Sequence, residues 1–271
     1  MGMTRRAAIN RLLVGGIGSL TGIGAYGFAY SRHQLQLARA SLQVSGLPPA
    51  LDSLRVGLVT DLHHSQMVPI EDVRSAVKLI MAEQPDLIVL GGDYVTWGDR
   101  HYVEPCAEAL APLRAPHGVF AALGNHDDDR DMPAALEARG FAALKDARTR
   151  VVIRGEALEI AGLRFWTRRP AEIARVLEGA TAPVMLIAHD PRRLIEAAEL
   201  NVGVVLSGHT HGGQVVLPVL GPVAARKYPV AAGLGRRDKT AMFVSRGVGT
   251  VYVPYRFNCP PDVALLTLTA A

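Results

Sequence analysis

Val202-Gly203-Val204-Val205-Leu206-Ser207-Gly208-His209-Thr210-His211-Gly212-Gly213-Gln214 joins a short apolar run to two histidines one residue apart, bracketed by glycines. The run reads as a buried strand. In an extended chain, residues at i and i+2 project to the same side. The two imidazoles are therefore expected to converge on one point, or on two neighbouring points, at the strand's end. The glycines let the backbone turn sharply and approach closely whatever sits there. Imidazole is a common ligand of zinc, iron, copper and nickel. Alone, the stretch is also readable as a polar turn with two solvated histidines, so the rest of the chain decides.

The same arrangement recurs upstream. Val184–Ala188 is an apolar run ending in His189-Asp190-Pro191, and Gly118–Leu123 ends in Gly124-Asn125-His126-Asp127. Asp86–Leu90 ends in Gly91-Gly92-Asp93, and Leu54–Thr60 ends in Asp61-Leu62-His63-His64. Between them, apolar residues at helical spacing predict helices over 70–83, 102–113, 132–139, 170–178 and 191–200, with prolines and Gly140 as stops. Residues 150–167 alternate short apolar stretches (Val151–Ile153, Ala157–Ile160, Leu163–Trp166) with glycines and read as antiparallel hairpins. Strand–helix alternation of this kind predicts an α/β fold whose ligands bind beyond the carboxyl ends of the strands.

Five of the nine histidines lie at these strand ends. His33, His64, His101 and His117 do not bear on the pattern. Asp61, His63, Asp93, Asn125, His189, His209 and His211 are more donors than one ion takes. Two ions sharing a carboxylate would use them all. Oxygen and imidazole donors suit divalent or trivalent Mn, Fe, Zn, Ni or Co. Two cations about 3.5–4 Å apart clamp a phosphate oxygen and turn a bridging water into a hydroxide nucleophile near neutral pH. His126, beside a ligand, is placed to protonate the departing alkoxide. The chemistry expected is metal-assisted hydrolysis of a phosphate ester. Asp127-Asp128-Asp129 reads as a solvated acidic loop.

Composition narrows the alternatives. The net charge of +4 comes from residues 1–51, which hold five arginines and no acid; the remainder carries 24 Lys and Arg against 25 Asp and Glu. No nucleic-acid footprint follows. Cys106 and Cys259 form neither a disulfide framework nor a zinc knuckle.

Residues 12–31, Leu12 to Ser31, carry no charge and include six glycines. As a helix they would span roughly 30 Å, enough to cross a bilayer core. Thr4-Arg5-Arg6 ahead of them is a partial match to a twin-arginine export signal, and no clear cleavage site follows. Residues 1–39 are therefore expected to be an apolar signal or anchor helix, with 40–53 as a linker around Gly46, Pro48 and Pro49, and 54–271 as the globular domain. The flanking arginines favour a cytoplasmic N-terminus and a body outside. The expected location is the outer face of the cytoplasmic membrane or the periplasm.

The set Asp61-Leu62-His63, Gly92-Asp93, Gly124-Asn125-His126-Asp127, His189 and Gly208-His209-Thr210-His211 resembles the motifs of the calcineurin-like metallophosphoesterases, in the family's order. Ser245-Arg246-Gly247-Val248-Gly249 and Cys259-Pro260-Pro261-Asp262-Val263 resemble the bacterial branch similar to YkuE and YaeI. The resemblance implies a four-layer αββα sandwich of two mixed sheets with a binuclear site between them. It implies that Asp61, His63 and His211 hold one metal and Asn125, His189 and His209 the other. Asp93 would bridge them and His126 would be the general acid. Arg246 and Arg256 are candidate phosphate contacts. In the family's protein phosphatases an aspartate three residues after the bridging one orients the catalytic histidine; here that position is Thr96. Expected substrates are phosphodiesters, lipid-linked ones included. A pyrophosphatase acting on UDP-2,3-diacylglucosamine in lipid A assembly and a non-catalytic metal-binding docking protein are the alternatives. No protein partner is indicated.

Overall fold

The computed structural model describes residues 24–271. The expected signal or anchor segment lies mostly outside them. Among the described residues no helix is long and apolar enough to cross a membrane.

Among the described residues, twelve strands form two six-stranded sheets. In the first sheet, β2 (Leu54–Val59), β3 (Leu87–Leu90), β4 (Val119–Ala121) and β5 (Ala142–Ala143) run parallel. They are joined by α1 (Ile70–Ala82), α2 (Val103–Leu110) and α3 (Asp131–Glu137). On the other side of β2 lie β12 (Asp262–Ala270), antiparallel to it, and then β1 (Gln36–Val44), parallel to β12. In the second sheet, β7 (Glu156–Gly162), β8 (Val184–Ile187), β9 (Val204–Ser207) and β11 (Thr240–Val244) are parallel. The edges are β6 (Ala147–Ile153) and β10 (Gly233–Arg237), both antiparallel to their neighbours. Helices α4 (Pro170–Leu177) and α5 (Leu194–Glu199) join β7, β8 and β9.

Strands buried on both faces read as continuous apolar runs, and the alternation of their side chains builds the layers. Leu87 and Val89 enter the core between the sheets, while Ile88 and Leu90 face α1 and α2. Likewise Val204 and Leu206 pack between the sheets, and Val205 packs on the α4–α5 side. The layers are thus helix, sheet, sheet, helix. The parallel runs of both sheets end at one seam, and every strand-end motif lies there.

Two expectations are corrected. Residues 40–53 are not a linker: β1 occupies 36–44 and pairs along its length with β12. Ala38, Ala40, Leu42 and Val44 alternate into the core between the sheets. Two alanines in that set, with Arg39 and Gln43 interleaved, weaken the apolar signal. Leu51, in the short turn after β1, is fully buried. The domain therefore begins before residue 54. Leu163–Trp166 is a turn and not a strand: Asp146 takes the Arg164 backbone N–H at 3.0 Å and its Nε at 2.7 Å, which draws the chain away from the sheet.

Leu42→Ala is expected to cost about 2–5 kcal/mol, as for a core leucine. A linker residue would cost less than about 0.5 kcal/mol. Urea denaturation distinguishes the two.

Candidate metal centre

The strands stop just short of the residues they deliver. Asp61, His63, Asp93, His209 and His211 all have φ between +48° and +70°. Convergence of the i, i+2 pairs therefore comes from left-handed turns, not from an extended strand as the sequence suggests. Non-glycine residues in that region are uncommon, and such strain gathers at functional sites. Backbone bonds between the two loops hold the turns: Asp61 donates to Gly92 O at 2.9 Å and His63 to Asp93 O at 3.0 Å.

Glycines make room for the carboxylates. A Cβ on Gly208 would lie 2.0 Å from Asp61 Oδ2, and one on Gly124 would lie 2.0 Å from Asp93 Oδ1. Neither position tolerates a side chain while the carboxylate stays in place.

Three groups of ligand-type atoms emerge, each drawn together within 4.8 Å: Asp61, His63 and His211; Asp93, His189 and His209; and His63, Asp93 and His126. His209 and His211 thus go to two neighbouring points. The nitrogens face one another across the site: His63 Nε2 is 3.1 Å from His211 Nε2, and His211 Nε2 is 3.3 Å from Asp61 Oδ1. Asp93 Oδ2 is 3.0 Å from His189 Nε2 and 3.5 Å from His63 Nε2, so it lies between the first two groups. Asn125 Oδ1 is buried with no hydrogen-bond partner among the described residues. A buried orphan acceptor is costly, and a cation would satisfy it.

Partners behind the ligands set their direction. His189 Nδ1 donates to Gly91 O at 2.8 Å, which leaves Nε2 for the centre. The Tyr228 hydroxyl meets His209 Nε2 at 2.9 Å, leaving Nδ1 free. Thr96 Oγ1 lies 3.4 Å from His63 Nδ1. Such outer contacts fix tautomer and ring orientation. Asp127 is not the start of a solvated loop. Its carboxylate accepts the backbone N–H groups of Asp93, Tyr94 and Gly124 at 2.7–2.8 Å, bracing two ligand loops together. Asp128 accepts from Arg130 N and Asp131 N at the start of α3. Only Asp129 is exposed, where it pairs with Arg164.

His126 lies with its ring 4.8 Å from that of His63. Its Nδ1 accepts the Trp97 backbone N–H at 3.1 Å. This bond places the neutral ring's proton on Nε2. The amide orients the His126 ring but with the opposite polarity to an aspartate, donating to Nδ1 where a carboxylate would accept from it, and Thr96 contacts His63 instead.

The two arginines expected at a phosphate are engaged elsewhere. Arg256 is fully buried and donates to the carbonyls of Arg246, Gly247, Gly249 and Cys259. Arg246 pairs with Asp262 at 2.7 Å. Both shape the 246–259 loop. Cys106 and Cys259 are free and buried.

The charges are strongly coupled. Burial, then the nearby His189 charge, holds His209 down to about 4, and burial holds His63 down to about 3. Burial and His63 depress His211 well below its ordinary value. Burial opposes charge on His189 too, but Asp93 and Asp61 override it and raise it to about 10. Burial raises Asp61 to about 6. Burial would raise Asp93 as well, but His189 and His63 hold it below the carboxylate range. Most of the imidazoles are therefore neutral and ready to ligate, with one proton on His189.

A buried Asp/His/Asn cluster at the strand ends of a two-sheet sandwich defines a metal-dependent hydrolase site. Residues 54–213 match the calcineurin-like phosphoesterases, and the chain belongs to that family. YkuE, an uncharacterized metallophosphoesterase of Bacillus subtilis, is 28% identical over 93% of this chain and 92% of its own. The phosphodiesterase YaeI of Escherichia coli is 30% identical over 79% of this chain and 82% of its own. An uncharacterized Aquifex aeolicus metallophosphoesterase is 30% identical over 91% and 96%. The protein is a metal-dependent phosphoesterase.

A metal ion held by the Asp93, His189 and His209 group would displace the His189 proton. Apparent affinity is expected to rise about tenfold per pH unit between about 6 and 10, and more steeply below the Asp61 value of about 6. Calorimetry in buffers of different ionisation enthalpy reads the protons released. Tyr228→Phe, which removes the partner of His209, is expected to weaken metal binding about 10–100-fold, measured by competition with a chelator.

Proposed function

We propose that the protein is a binuclear phosphodiesterase held at the outer face of the cytoplasmic membrane by its N-terminal segment. In this reading Asp61, His63 and His211 hold one ion, Asn125, His189 and His209 the other, and Asp93 is shared. The observation that carries it is the position of Asp93 Oδ2, between His63 Nε2 and His189 Nε2. Bound divalent ions supply Lewis acidity toward a phosphoryl oxygen and make water acidic. The chain's own groups do the rest. Buried walls exclude bulk water, Asp127 and the backbone bonds keep the two ligand loops in register, and His126 presents Nε2–H toward the departing oxygen. The name of YaeI supports diesters as the class. The uncharged run 12–31 behind Arg5, Arg6 and Arg11 supports the membrane location.

Purified protein with Mn, Ni, Co or Zn is expected to cleave bis-p-nitrophenyl phosphate faster than p-nitrophenyl phosphate, with about two ions bound per chain. Asp93→Asn is expected to abolish both activity and full metal loading. His126→Ala is expected to keep the metal and lose about 10²–10⁴ in kcat, the range for one general acid. A loss of metal in His126→Ala would make it a ligand instead. Metal without hydrolysis of any diester would overturn the reading.

A further inference from the structure

Three loops touch the metal centre on their inner side and carry exposed apolar side chains on their outer side. In the 249–258 loop, Gly249 N donates to Asp61 O at 2.7 Å, while Tyr252 is 70% and Val253 59% exposed. In the 214–230 loop, Tyr228 meets His209, while Val219 is fully exposed and Leu220 is 54% exposed. In the 94–99 loop, the Trp97 amide meets His126, while its indole is 66% exposed. The Trp97 and Tyr252 rings lie 5.5 Å apart.

These loops are fastened into one surface. Val251 N donates to Gln214 Oε1 at 2.8 Å, and Phe257 N to Gln214 O at 2.9 Å. The segment arriving from the N-terminus joins the same surface: Arg256 N donates to Gly27 O at 3.2 Å. That segment exposes Tyr26, Phe28 and Tyr30. Residues 26–30 thus lie against the 249–258 loop, on the side of the metal centre and not at the far end of the sandwich.

Charge adds a second constraint. Residues 24–35, 214–230 and 249–261 contain no Asp or Glu but hold Arg32, Arg226, Lys227 and the buried Arg256. Asp99, in the Trp97 loop, turns to His101 at 2.9 Å. An apolar rim carrying Arg32, Arg226 and Lys227, with the acids beside it, Asp99 and Asp72, paired to His101 and His33, suits a bilayer surface with anionic headgroups: aromatic rings settle at the interface and Lys and Arg meet the phosphates. Exposed apolar surface of this extent needs an occupant.

We propose that this rim docks onto an anionic lipid bilayer, with the mouth of the metal centre turned toward the headgroups. The substrate class that follows is a phosphoester carried by a lipid; this last step rests on the hydrolytic reading above, whereas the docking does not.

The test uses the full chain with Trp166→Phe, which leaves Trp97 as the sole tryptophan of the two. It is mixed with vesicles of phosphatidylcholine and phosphatidylglycerol, with and without brominated acyl chains, and no substrate or added metal. Trp97 emission is expected to shift to shorter wavelength and to be quenched by the brominated lipid. Val219→Asp with Leu220→Asp in the same background is expected to restore most of the emission, its folding checked by an unchanged melting temperature. If the chain floats with the vesicles but Trp97 is equally bright with both lipids, the N-terminal segment alone holds it and the docking proposal is overturned. Failure to float overturns it too. If quenching occurs but no lipid-borne diester is cleaved while bis-p-nitrophenyl phosphate is, docking stands and the substrate class falls.

Discussion

Asp61 and Asp93 are buried against four imidazoles where the two sheets meet, and a carboxylate removed from water must be paired or neutralised. Among the protein's own groups the compensation is partial: one proton raised onto His189, backbone amides from His126 and His209, and the Thr60 hydroxyl. A bound metal ion would complete it. The surroundings answer to this one requirement. The glycines beside each carboxylate leave it space, and the left-handed turns aim it. The backbone bonds from Asp61 and His63 to Gly92 and Asp93 keep those two loops together against the repulsion between Asp61 and Asp93.

The same requirement explains which parts of the site could be seen in the sequence. Ligands are chemically conspicuous: histidines, aspartates and an asparagine directly after apolar runs, in five places. Their convergence is legible because parallel strands connected by helices end at one edge. The means of convergence is not legible. A left-handed φ at Asp61 or His211 leaves no mark on residue type, since such turns usually advertise themselves by glycine or asparagine. Tyr228 was equally hidden, because nothing local marks a tyrosine in a loop as the partner of a histidine 19 residues away. The amide of Trp97 could not be seen at all, being backbone. Arg256 misled for the opposite reason. An arginine near a phosphate site invites a substrate role, but its guanidinium is consumed by carbonyls of its own loop.

The helices and inner strands of the fold were legible from apolar period and proline stops. Edge elements were not. β1 presents alanine where a strand more often shows valine or isoleucine, and β5 is two residues long. Their pairing partners, not their composition, make them strands.

The order β1–β12–β2 has a consequence for how the molecule comes together. β12 is inserted between two strands that precede it by more than 200 residues. Until it arrives, β1 has no neighbour and β2 has one open edge, so the first sheet closes last. Contacts between such distant segments form slowly. Asp262 at the start of β12 also anchors Arg246 and the Ser245 hydroxyl, and Gly247 and Gly249 beside them press against Asp61 and His63. Asp61 and His63 therefore gain their final neighbours only when a segment far along the chain has docked beside β2.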